Sequence, residues 1–285
     1  MLHGYTPPHR YLPYLSWTEI ADLPDKENTV IVLPCGATEQ HGPHLPCAVD
    51  TVISAGVVGH ALARLSDSVP AFAMAPITYG KSEEHLHFPG TVTLSGETLL
   101  ATMNEVGESV YRAGFRKLLF VNGHGGQPQV LEMCARELRL RHGDFIVVPS
   151  FTWRVPHVAG QYLSEQEKKL AMHAGHAETA LMLALAPHTV HMDRAVTNYP
   201  PVFGAPLLSP DGRPACAWSA RDFGPSGVIG DPLPATAEQG QAILNSLATS
   251  WAAAIAELHA LQWAPRSEPT WGRAQHTGHV QTTLA

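Results

Sequence analysis

The sequence predicts an α/β fold around a mostly parallel sheet, on three observations. From about Thr29 short β-branched runs alternate with amphipathic stretches, the pattern of strands joined by helical crossovers. The 285 residues are 45% hydrophobic, enough to bury a sizeable core. Only 15% are charged, against about 25% in an average soluble chain, so apolar surface is plentiful.

TVIVLP (29–34) reads as the first strand and the segment from Asp50 to Leu65 as a helix. AFAMAP (71–76) is a second strand, and Ser95 opens a helix with Leu99, Met103, Val106 and Val110 on one face. KLLFV (117–121) is a buried strand. The glycine-rich NGHGGQ (122–127) leads to Pro128, suited to the first turn of a helix that carries Leu131, Cys134 and Leu138 on one side. IVVP (146–149) is the next strand. Ser164 with Glu167, and Thr236 with Gln239, each have capping-box spacing; the second pair opens a long helix with Leu244, Leu247, Trp251, Ile255 and Leu258 on its buried stripe. Residues 198–234 are rich in Pro, Gly, Asp and Ser and too long for an ordinary connection, which predicts a functional loop or an oligomer contact. The expected organisation is an N-terminal extension (1–16), one domain (17–263) and a flexible C-terminal tail (264–285).

Several function classes fall away. Lys plus Arg is 18 and Asp plus Glu 25, a net charge of −7, so the basic footprint of a nucleic-acid binder is missing. No apolar stretch approaches the roughly 20 residues of a membrane span, and the N-terminus lacks the apolar core of a signal peptide. The four cysteines have no CxxC spacing and read as free thiols in the cytoplasm. Histidine occurs 17 times, nearly matching Lys and Arg together, and imidazole suits metal ligation and proton transfer near neutrality.

Three segments gather chemistry at strand ends. GATEQHGPHLPCAVD (36–50) follows the first strand, at the edge where open α/β sheets bind ligands, and holds Glu39, His41, His44 and Asp50 in a loop stiffened by Gly36, Gly42, Pro43 and Pro46. VNGHGGQ (121–127) places His124 on the same edge. HAGHAETALML (173–183) puts Glu178 at the start of a helix, where a carboxylate also favours the helix dipole. A phosphate cradle in NGHGGQ, and with it a doubly wound nucleotide-binding protein, is an alternative, although neither glycine fingerprint is present. A metal-stabilised, non-catalytic scaffold is another.

Together these segments resemble the creatininase family of metal-dependent amidohydrolases, through Gly36 to Pro46 with Asp50, Asn122 to His124, and His173 to Thr179; FPGT (88–91) and GDP (230–232) look similar to family landmarks. The resemblance implies a three-layer αβα sandwich and a likeness from about Trp17 to Trp263. It implies two divalent ions, Zn²⁺ and/or Mn²⁺ with Fe²⁺ also fitting, one held by Glu39, Asp50 and His124 and the other by His41, Asp50 and Glu178. A hydroxide bridging them would attack an amide C–N bond, of a cyclic or linear substrate. His173 would be the proton shuttle, with Glu178 beside it at the reaction centre. Ser82, Glu83 and His85 in the YGKSEEHLHFPGT loop are expected near the substrate, and His44 and His176 as supporting or substrate contacts. The family's acidic residue two positions after the NGH histidine is replaced by Gly126, which points away from creatinine and toward branches that include mycofactocin precursor peptidases and formamide deformylases. A peptidase of short peptides, or a ring-opening hydrolase of a cyclic ketone, is the alternative on the same site. A homo-oligomer, a hexamer by resemblance, is expected, acting on a small molecule or short peptide with neither nucleic acid nor membrane as partner.

Overall fold

The computed structural model describes residues 2–200, 208–210 and 214–263. The expected tail, 264–285, and parts of the 198–234 loop lie outside them. Four parallel strands, β1 (Val30–Cys35), β2 (Ala71–Ala73), β3 (Lys117–Asn122) and β4 (Ile146–Phe151), form a sheet in the order β2-β1-β3-β4. Side chains alternate across it with the two-residue period of a strand. Val30, Val32, Leu119 and Val121 face one apolar core, and Ile31, Leu33, Leu118 and Phe120 the other.

Helices α2 (Val49–Leu62), α6 (His176–Leu185) and α7 (Ala237–Ala260) cover the first face. Helices α3 (Gly96–Arg112) and α4 (Pro128–Arg141) cover the second, giving the three-layer α/β sandwich. Two short helices, α1 (Trp17–Asp22) and α5 (Glu165–Leu170), complete the set of α-helices among the described residues. The stripe on α7 is buried as expected, and Thr236 and Gln239 form the full capping box. At Gly240 a Cβ would run into the backbone of Ala180, so only glycine lets α7 lie this close to α6.

Three local expectations change. β2 is shorter than 71–76, because this edge strand keeps ladder pairing only over Ala71–Ala73 and then continues as a single bridge between Ile77 and Cys35. The helix expected from Asp50 to Leu65 ends at Leu62. Ser164 caps α5 through Glu167 N–H, but the Glu167 carboxylate does not return to Ser164; it is buried and bonded elsewhere.

The N-terminal residues lie against the sheet edge, with the Arg10 guanidinium donating to the carbonyls of Val69 and Ser66 at 3.0 Å and Tyr11 bridging to Ala73. No helix among the described residues is long and apolar enough to cross a membrane.

Candidate metal centre

The register of β1 and β3 builds the site. Cys35 pairs with Asn122, so the chain leaves both strands side by side, and Gly123 N–H donates to Cys35 O at 2.7 Å. The loop after β1 presents Glu39 and His41, the first turn of α2 presents Asp50, and the turn after β3 presents His124. All four are at most 2% exposed. Asn122 locks the second turn from both sides, accepting from His124 N–H at 3.1 Å and donating to His124 O at 2.7 Å.

Each histidine is fixed by one ring nitrogen and offers the other. His41 Nδ1 lies 3.1 Å from the Glu39 carbonyl, an acceptor only, so Nδ1 carries the hydrogen and Nε2 faces Asp50 Oδ1 at 3.3 Å. His124 Nε2 donates to Lys81 O at 2.7 Å, which turns Nδ1 toward Glu39 Oε2 at 3.2 Å and Asp50 Oδ2 at 3.3 Å. This is the arrangement that orients imidazole ligands at a metal. Glu39 Oε2, His41 Nε2 and Asp50 Oδ2 are buried without a hydrogen-bond partner, a costly state that a cation would relieve. Donor sets of Glu39, His41 and Asp50, and of His41, His173 and Glu178, each place their ligand atoms within 4.8 Å of one another. The residues therefore fit divalent metal.

The electrostatics agree. Burial alone would lower the His41 pKa, yet the facing Asp50 raises it to about 9, and His124 is raised above its ordinary value by Glu39 and Asp50. Burial pushes both carboxyls up, but His124 with His173 holds Glu39, and His41 with His124 holds Asp50, below the usual carboxylate range. Glu178, in the first turn of α6, accepts from Ala174 N–H at 2.6 Å, and burial pushes it up to about 7. Ala174 presents that N–H from a left-handed conformation, φ +55°, rare for a residue with a Cβ.

His173 lies beside the cluster, its ring centroid 4.1 Å from that of His41 and 4.3 Å from that of His85. Its Nε2 donates to Gln40 O at 2.7 Å, leaving the Nδ1 lone pair 3.7 Å from Glu39 Oε1. Burial and the neighbouring His41 and His85 keep its pKa well below the ordinary value. The Gln40 amide donates to Gly227 O and His85 Nδ1, tying the two loops together. Sequence reasoning passed over Gln40, although it stands between two candidate ligands.

Glu39, Asp50, His85, His124, His173 and Glu178 open onto a cavity of about 960 Å³ that also exposes Trp153, Lys168 and Trp218. Trp218 and Cys216 come from the 198–234 segment, whose described part thus lines the cavity, and Ser219 Oγ donates to Glu84 O. Among the residues expected near substrate, His85 and Glu83 reach the cavity. Ser82, fully buried, instead lies 3.3 Å from His124 Nε2 through its hydroxyl. His44 bonds Thr179 Oγ1 at 3.0 Å and His176 bonds Gln239 Oε1 at 2.8 Å; neither lines the cavity. Glu84, absent from the expected site, lies 3.6 Å from His124 Nε2, and its only cue in the sequence is its place in the same EEH run as His85.

The creatininase family model, described as creatinine amidohydrolase, matches residues 13–255. A mycofactocin precursor peptide peptidase from Mycobacterium ulcerans is 35% identical over 267 residues, 90% of this chain and 95% of the relative. A creatinine amidohydrolase from Pseudomonas putida is 32% identical over 257 residues, 85% of this chain and 95% of the relative. A creatininase structure designated Mn superposes with a TM-score of 0.68 at 29% identity, covering 87% of this chain and 98% of that one. A mutant creatininase of Zn-Zn type gives 0.70 at 30%, covering 87% and 97%.

Proposed function

The chain belongs to the creatininase family of hydrolases, and from that premise we propose that it cleaves an amide C–N bond with two divalent ions, one held by Glu39, Asp50 and His124 and the other by His41, Asp50 and Glu178. The observation that carries this is that Glu39 Oε2, His41 Nε2 and Asp50 Oδ2 are buried without partners in one cluster, whose Glu39 and Asp50 line the cavity. An all-nitrogen-and-oxygen donor set suits Zn²⁺ or Mn²⁺, with Fe²⁺ also compatible. Bound there, such ions would lower the pKa of a water and polarise the carbonyl under attack.

The chain's own groups supply proton handling and order. His173 is neutral at rest, with its Nδ1 lone pair on the side of the carboxylates, so it can take a proton released from the attacking water and deliver it to the leaving nitrogen. Gln40 O fixes the ring by accepting the Nε2 hydrogen, and His85 stacks on it, so the acceptor nitrogen keeps its direction. Asp50, facing both His41 and His124, is the one carboxylate shared by the two sets.

A short peptide is the second reading of the substrate. It is supported by the cavity of about 960 Å³, at the upper end of the roughly 300–1,000 Å³ of ligand pockets, and by the likeness to a peptide peptidase.

Chelated protein, reloaded with Mn²⁺ or Zn²⁺ and offered creatinine, formamides, lactams and short peptides, tests both. Turnover should vanish on chelation and return with metal. Full activity in a metal-free preparation contradicts the proposal, and turnover of small rings alone contradicts the peptide reading.

A further inference from the structure

Resting on the two-ion reading, we propose that Glu84 is an additional ligand of the ion on the His124 side, delivered from the loop between β2 and α3. Glu39, Glu84 and His124 offer ligand atoms that all lie within 4.8 Å of one another. The Glu84 side chain is 13% exposed and opens onto the same cavity as the other candidate ligands.

Two simpler explanations of its position fail. Glu84 is not the hydrogen-bond acceptor that orients His124: the single Nε2 hydrogen goes to Lys81 O at 2.7 Å, and 3.6 Å from Nε2 to Glu84 Oε1 is too long for a hydrogen bond. Nor is it the partner of the nearby ammonium, because Lys81 Nζ pairs with Glu83 at 3.1 Å. Among the described residues no other side chain donates to its carboxylate. It faces Glu39, whose Oε2 is itself buried without a partner. Two carboxylates brought this close repel each other unless a cation or a proton lies between them.

Gly126 supplies the room. A Cβ at this position would fall onto Glu84 Oε1 and crowd His124 Nε2, so the missing side chain leaves the volume that the Glu84 carboxylate occupies. With Glu84 added, the His124 side has three carboxylates, counting Asp50, and one imidazole. That oxygen-rich set suits Mn²⁺ more than the His41 side does, with its one imidazole and two carboxylates.

The full chain, stripped by chelator, would be titrated with Mn²⁺ while free Mn²⁺ is followed by electron paramagnetic resonance, for wild type and Glu84→Gln. Wild type should take up two ions. In E84Q one of the two should be weakened by at least about tenfold, and the rise in Tm on adding Mn²⁺ should shrink while the metal-free Tm does not fall. Glu84→Asp, which keeps the charge, should retain more of the affinity. E84Q that binds both ions with wild-type affinity overturns the role of Glu84 and leaves the two-ion reading standing. Wild type that binds no Mn²⁺ or Zn²⁺ overturns both. Equal losses in E84Q and E84D with a lowered metal-free Tm mark a damaged loop and overturn the proposal for Glu84.

Discussion

Glu167 and Glu39 are both buried carboxylates that touch the same cavity, yet their surroundings differ in kind. Glu167 accepts from His176 N–H at 2.8 Å, Asp231 N–H at 2.8 Å and the Tyr199 hydroxyl at 2.9 Å, which joins α5, the start of α6 and the segment before α7. Its charge is spread over donors that the fold itself holds in place. Around Glu39 and Asp50 the neighbours are histidine nitrogens whose hydrogens are committed to backbone carbonyls on their far sides, and one oxygen of each carboxylate has no partner. A carboxylate that clamps a fold is thus distinguished from one able to receive a cation by where its acceptor oxygens point. The first has its acceptors filled by fixed donors, and the second has them aimed at imidazole nitrogens, where a proton or a cation can sit between.

The largest effect should come from the open side. Asp50 faces both His41 and His124 at 3.3 Å, so Asp50→Asn removes the one carboxylate shared by the two proposed ion sites. Metal content after gel filtration should fall at both positions, and turnover should drop below detection. Two ions retained with wild-type turnover in D50N would show that Asp50 holds neither ion.

Glu167→Gln tests the closed side and should do the reverse. An amide keeps one acceptor oxygen but turns an NH₂ toward N–H and O–H donors, leaving at least one buried donor unpaired. The expected loss is about 1–3 kcal/mol of unfolding free energy by denaturant titration, with metal content unchanged. Loss of metal without loss of stability would mean that Glu167 serves the metal centre and does not clamp the fold.

Sequence order made some of this legible and hid the rest. Strand and helix positions followed from periodicity, and Glu39, His41 and Asp50 share one loop-to-helix stretch, so their convergence is local. Glu167 was misplaced for a physical reason. The capping-box rule weighs only Ser164, three residues away, whereas the buried carboxylate found donors 9, 32 and 64 residues distant. Glu84 was invisible because what admits it is empty space at Gly126, more than forty residues along the chain. His44 stands among the ligands in sequence, but its ring turns to Thr179 on α6.

The smallest and most diagnostic effect is on the metal-free protein's stability between pH 7 and 9. His41 is raised from 6.5 to about 9, and His124 is raised as well, while Glu178 reaches about 7. In this window the folded state therefore holds protons that the unfolded chain has released. Stability from the two histidines is fully present below 6.5 and is lost as pH climbs through their folded values; Glu178 adds the same sign up to about 7. The depressed histidines His44, His60, His85, His157 and His173 are neutral when folded and partly charged when unfolded near pH 7, so they oppose the trend there and cease to by about pH 8. The slope should be downward, at most about 1.4 kcal/mol per pH unit for each extra proton held. Saturating Mn²⁺ should flatten it, because an ion replaces those protons on the folded chain. Chemical denaturation of chelated and reloaded protein at pH 7, 8 and 9 measures both slopes. A metal-free slope that is flat or rising would mean that His41 is not held charged against Asp50.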